Sequence, residues 1–191
     1  MGCVPLNNAD EVFRTVTAVL GDRLRRVPDG ETGDRRHWVA WQQPVFAHHP
    51  DLEPASELAV AIMSGPRMRT ISSGSAITWI RVVFCSVSDT DTVFARLKAE
   101  GVIPAGVRFQ VSLPTPIHPL LMFVTPRQRP ILLAPYEAAL LRELEQILTA
   151  IPSDQLAIQW DAPHEVRTWA GNVGDRVPPS MLARFWSASS A

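Results

Sequence analysis

VPDGETGDRRHWVAWQ, residues 27–42, is the stretch on which the reading of this chain turns. An apolar lead-in runs into Pro28, Asp29, Gly30, Glu31, Thr32 and Gly33, and an Arg- and Trp-rich helical pattern follows. Gly, Pro and Asp are turn formers, each for its own backbone reason. The stretch therefore sets two carboxylates, Asp29 and Glu31, on a tight turn at the C-terminal end of a short strand over 24–27. In α/β proteins that end of the strands is where ligands and catalytic groups collect. LAIQWDAPHE, residues 156–165, repeats the arrangement and puts Asp161 just past another short apolar strand.

Working outward, Asn8 or Asp10 is placed to cap a helix whose stripe is Val12, Val16, Val19 and Leu20, with Gly21 at its end. Trp38, Val39, Trp41 and Gln42 begin a second helical piece that stops near Pro44. Residues 48–75 are rich in Pro, Ser and Gly without clear periodicity and read as an extended excursion. WIRVVFC, residues 79–85, reads as a strand, and a helix capped at residues 89–91 and ending at Gly101 follows it. VRFQVSL, residues 107–113, alternates as a strand and stops at Pro114 and Pro116. A Pro-punctuated loop then leads to the clearest amphipathic helix, over 135–151. Beyond Glu165 the pattern fails.

Strands alternating with helices signal βαβ units around a parallel sheet. The expected fold class is therefore α/β, of TIM-barrel type but incomplete: roughly the first five β/α units of a (β/α)8 barrel over residues 1–166. Residues 167–191 form an irregular tail in this reading. A closed barrel takes about 250 residues, and the chain has 191.

Composition narrows the function classes. Hydrophobic residues make up 46% and charged residues 19% of the chain, ordinary values for a globular protein. A formal charge of −1 argues against a nucleic-acid or anionic-membrane partner, since both require a concentrated basic face. No run approaches the roughly 18 apolar residues of a membrane span, and the N-terminus lacks the pattern of a secretory leader. Cys3 and Cys85 form no disulfide or zinc pattern, and two such thiols fit a reducing cytoplasm. Seventeen of the eighteen basic residues are Arg, Lys98 being the exception, a matter of codon usage rather than function.

Three blocks, PDGETGDRRHWVAWQ, RFQVSLPTP and LAIQWDAPHE, stand in an order and spacing that resemble the methionine-synthase-like branch of the superfamily shared with uroporphyrinogen decarboxylase. More narrowly, the chain is similar to proteins related to the C-terminal barrel of cobalamin-independent methionine synthase, from about Gly2 to about Glu165. The resemblance implies that residues 2–6, GCVPL, match the end of the first barrel strand. It places Glu31 in the position of the glutamate that binds the amino group of homocysteine. Arg35 and Trp38 fall in the positions of the arginine and the aromatic-rich helix after it. Residues 111–116 match a strand lining the same pocket, and Asp161 the second carboxylate holding the amino acid. Ala162 stands where the synthase has Glu, so the match is to the wider family. That family activates its thiol with zinc held by His, Cys, Glu and Cys, on strands that follow the Asp161 block. This chain has no Cys after Cys85, so no cofactor is expected in it.

The implied parent activity is methyl transfer to a thiol such as homocysteine, with this chain a truncated relative inactive alone. Two other classes stand beside it. One is a non-catalytic module that binds an amino acid or amine in a two-carboxylate pocket; the physical basis is that an ammonium has three donors, which carboxylates on neighbouring strand ends can share. The other is a half-barrel that self-associates or is completed by a partner chain through its open edge. Each residue also has a local reading. Asp29 and Glu31 suit a turn, and Asp161 suits a cap. Trp38, Trp41 and Trp160 suit core packing as well as a pocket wall, and His48, His49, His118 and His164 read as incidental.

Overall fold

A computed structural model describes residues 4–32, 39, 42, 46 and 82–171. Its elements run α1 (Ala9–Leu20), a single 3-10 turn (Gly21–Arg23), β1 (Arg26–Pro28), α2 (Val82–Ala99), β2 (Arg108–Pro114), α3 (Ile117–Phe123), α4 (Arg129–Ala150), β3 (Leu156–Asp161) and α5 (Pro163–Trp169). Among the described residues the sheet has three strands in the order β1-β2-β3. Both pairings are parallel, with Val27 opposite Phe109 and Val111 opposite Ile158.

The class is thus α/β, but the described residues form a three-stranded parallel sheet and not the expected five-unit incomplete TIM barrel. Two stretches account for the difference. The β-branched run expected to be a strand over 79–85 is helical from Val82 onward, as the opening turn of α2. A short apolar run of that kind is ambiguous between a strand and a buried helical turn. The first barrel strand expected at 2–6 is absent from the described part of that stretch, and Val4 instead donates its N–H to the Gly30 carbonyl at 2.9 Å.

Prolines mark helix starts here. Pro119 lies in the first turn of α3, Pro130 in that of α4, and Pro163 opens α5. First-turn N–H groups have no partner within their helix, so proline loses nothing there. The stretch expected to be a Pro-punctuated loop before residue 135 consequently holds α3 and the first turns of α4. Pro135 is internal to α4 and leaves the Ile131 carbonyl without its usual donor. Helix α5 spans the junction of residues 166 and 167, the bound between the expected barrel portion and the expected tail.

Helix α1 begins as its sequence dictates. The Asn8 side chain accepts from the Glu11 N–H at 2.9 Å, and the Glu11 carboxylate accepts from the Asn7 N–H at 3.1 Å. Its buried stripe carries Phe13 onto one face of the sheet. There Phe13, Phe94 of α2 and Phe109 of β2 form a triangle of rings with centroids 5.5–5.9 Å apart. Val27, Val111, Leu113 and Leu156 complete that layer. A surface network of Asp10 and Arg14 on α1 with Arg96 on α2 and Glu100 just beyond it ties the two helices on the outside. A second apolar group sets Tyr136 of α4 against Phe46, and the Tyr136 hydroxyl donates to the side-chain carbonyl of Gln42. Lys98 donates to the Val107 carbonyl at 2.8 Å and to Gln155, stapling the chain where β2 and β3 begin.

Candidate functional site

The polar side chains gather at the other end of the sheet, where the three strands finish. β1 delivers the chain into Asp29-Gly30-Glu31, and the Asp29 carboxylate accepts the Glu31 N–H at 3.0 Å. Gly30 has φ +78° and Glu31 φ +52°, so two successive residues are left-handed. Gly30 has no alternative, because a Cβ there would lie 2.7 Å from a Val12 methyl and 3.1 Å from Val4 Cβ. Glu31 has no such licence. A non-glycine residue in this region costs about 1–3 kcal/mol and persists only where its surroundings over-determine it. Its side chain is only 5% exposed.

The face of β2 opposite the phenylalanines carries Gln110 and Ser112, both buried. Strands covered on both faces in parallel sheets are ordinarily apolar throughout. Here Gln110 Nε2 donates to Gln159 Oε1 at 2.9 Å, and Gln159 Nε2 donates to Asp161 Oδ1 at 2.8 Å. A row of amides thus crosses from β2 to β3 and ends on a carboxylate.

A further cluster lies just beyond. Thr115, at the end of β2, donates its backbone N–H to the Asp161 carbonyl at 3.1 Å. His118 of α3 is buried and stacks on His164 of α5, the ring centroids 4.3 Å apart. Burial, reinforced by the neighbouring His164, pushes the His118 pKa down to about 3, so the imidazole is neutral. Glu165 on α5 is 2% exposed. Burial raises its pKa, while the Thr115 hydroxyl beside the carboxyl draws it partly back. That hydroxyl and both Glu165 oxygens nonetheless complete no hydrogen bond among the described residues. A buried polar group left in that state costs about 1–3 kcal/mol.

Of the residues singled out from sequence, Glu31 and Asp161 both lie at this edge. Their strands are not neighbours, however, because β2 runs between β1 and β3. The expected sharing of one ammonium across adjacent strands is therefore replaced by two carboxylates flanking the end of β2. Trp160 alternates to the opposite face of β3 from Asp161 and is 38% exposed. Arg35 and Trp38 lie outside the described residues, as does Cys3. The sequence reading gave Thr115 only within the pocket-lining block 111–116, took His118 and His164 as incidental, and passed over Glu165 as a site residue. One signal could have found them: His118 and Glu165 each stand four residues past the last residue of their strand, in the first turn of a proline-started helix.

The family's zinc does not fit these residues. Among those described, no three His, Cys, Asp or Glu side chains converge as a metal-ion site. The two rings brought together, His118 and His164, are stacked face to face, which turns their nitrogens away from a common centre. A groove of about 380 Å³ lined by Asp91, Phe94, Lys98 and Gln155 opens at the other end of the sheet, away from the carboxylates. No helix among the described residues is long and apolar enough to cross a membrane. Comparison with known proteins found no matching family model, curated protein or solved structure.

Proposed function

We propose that the C-terminal edge of the sheet binds a small amine-bearing molecule, an amino acid or an alkylamine, with Glu31 and Asp161 meeting its ammonium end from the two sides of β2. The observation that carries this reading is the part-buried amide row Gln110–Gln159–Asp161. Burying amides on a sheet face that could have been apolar sacrifices stability, and the row fixes the orientation of a carboxylate at the edge. Glu31, held at positive φ on the far side, supports the same conclusion.

The resemblance to the methionine-synthase-like family supplies the amino-acid version, since Glu31 and Asp161 fall in its amino-binding positions. The proposal is one of binding rather than methyl transfer, because the residues described do not fit the family's zinc.

Calorimetric titration of the purified chain with L-methionine and with butylamine at neutral pH tests it. Saturable binding is expected, weakened about tenfold or more by Glu31→Gln or Asp161→Asn and unchanged by a chelator, since a charge-assisted hydrogen bond is worth about 1.5–3 kcal/mol. Absence of saturable binding by either compound overturns the reading.

A further inference from the structure

We propose that Thr115 and Glu165 form the seat for a second cationic nitrogen, so that the molecule bound at this edge is a dication such as a diamine or a basic amino acid. The inference rests on the amine-binding reading above and specifies its ligand.

Three observations carry it. The Glu165 carboxyl and the Thr115 hydroxyl are buried side by side, with acceptor atoms that no described residue satisfies. Proteins pair nearly all such groups, and a buried carboxyl with one hydroxyl proton beside it still has acceptor positions for a group rich in donors. Ammonium and guanidinium are such groups, and either can give two N–H bonds to one carboxylate. Second, the seat is part of the same edge, because the Thr115 N–H is bonded to the Asp161 carbonyl at 3.1 Å. Third, the edge has its carboxylates spread along it: Asp29 and Glu31 past β1, Asp161 at the end of β3 and Glu165 beyond it. Adjacent strands lie roughly 5 Å apart, so carboxylates carried past β1 and past β3 are spread over about two strand spacings along the edge. Two cations on a short chain match that spread. The neutral His118 beside the cluster adds no opposing charge.

Calorimetric titration of the full-length chain compares diaminobutane with butylamine, and diaminopentane with pentylamine. Arginine distinguishes a guanidinium from an ammonium in the second position. Wild-type protein is expected to bind each diamine about tenfold or more tightly than its monoamine partner. Glu165→Gln is expected to erase that preference, bringing diamine affinity down to that of the monoamine. Monoamine binding without preference for the diamine overturns this inference and leaves the amine-binding reading standing. Failure of every amine overturns both. A preference that survives in Glu165→Gln removes Glu165 from the seat. The wild-type pairs decide the dication question on their own if the variant gives no cooperative melt.

Discussion

The two faces of β2 are covered to a similar depth and have opposite chemistry. On one, Phe109, Val111 and Leu113 close an apolar layer with Phe13 and Phe94. On the other, Gln110 and Ser112 are buried, and Gln110 donates to Gln159. Burial stabilises the first face at about 25 cal/mol per Å² removed from water. On the second the same burial must be offset by hydrogen bonds, and the row ending at Asp161 provides them. One strand therefore serves two ends: its apolar side holds the fold, and its polar side and C-terminal edge spend stability on hydrogen bonds at the proposed binding edge.

Breaking the apolar side has the largest expected effect. Phe109→Ala removes a ring packed against two others and is expected to cost about 3–5 kcal/mol in urea denaturation. On the site side, Gly30→Ala forces a Cβ against Val12 at a positive φ. The expected loss is about 2–4 kcal/mol, from overpacking and left-handed strain together. Val12→Ala in the same chain should recover part of it, which separates the steric share from the backbone share.

Acid sharpens the contrast further, because only the polar side titrates. His118 has its folded pKa lowered from 6.5 to about 3. The folded state therefore holds fewer protons than the unfolded one between these values, and stability is full above pH 6.5 and lost as pH falls toward 3. The loss is at most about 1.4 kcal/mol per pH unit. Glu165 has the opposite sign: its folded pKa is raised above 4.5, so its contribution is present below that value and lost as pH rises through the folded value. Melts across pH 4 to 8 should show His118→Phe flattening the acid-side fall and Glu165→Gln removing the opposing slope. Unchanged profiles in both would mean that neither group is buried in solution.

The smallest expected effect is at the surface. Asp10 has its pKa lowered by hydrogen bonds from Arg14 and Arg96, and its contribution is lost as pH falls through that lowered value. Exposed pairs are screened and worth little. Asp10→Asn should lower Tm by about 1–2 °C at low salt and by nothing measurable at high salt.

The three strands were legible in the sequence because each is a short apolar run ended by Pro or Asp, and α1 because of its cap and stripe. The same runs place Asp29, Glu31 and Asp161 at or just past the strand ends, the edge on which the proposed site is drawn. The opening of α2 was not legible, since VVFC has the composition of a strand and only continuity with the helix behind it makes it helical. Nor were α3 and the start of α4, where proline reads as a breaker but occupies first turns that tolerate it. Alternation over residues 107–113 puts Gln110 and Ser112 on one face of the strand, and cover over that face is a tertiary property that no local pattern carries. His118 and His164 read as incidental, and Glu165 was missed, because the helices that carry them, α3 and α5, meet only in the folded chain.

The hydrogen bond from Val4 to Gly30 has a practical use. Its proton sits 27 positions from Glu31 in sequence yet is held by the residue immediately preceding it. The exchange rate of the Val4 amide with deuterated solvent thus measures how often the turn lets go. A molecule that grips Glu31 should slow that exchange, making the N-terminal segment a built-in reporter of occupancy that needs no label.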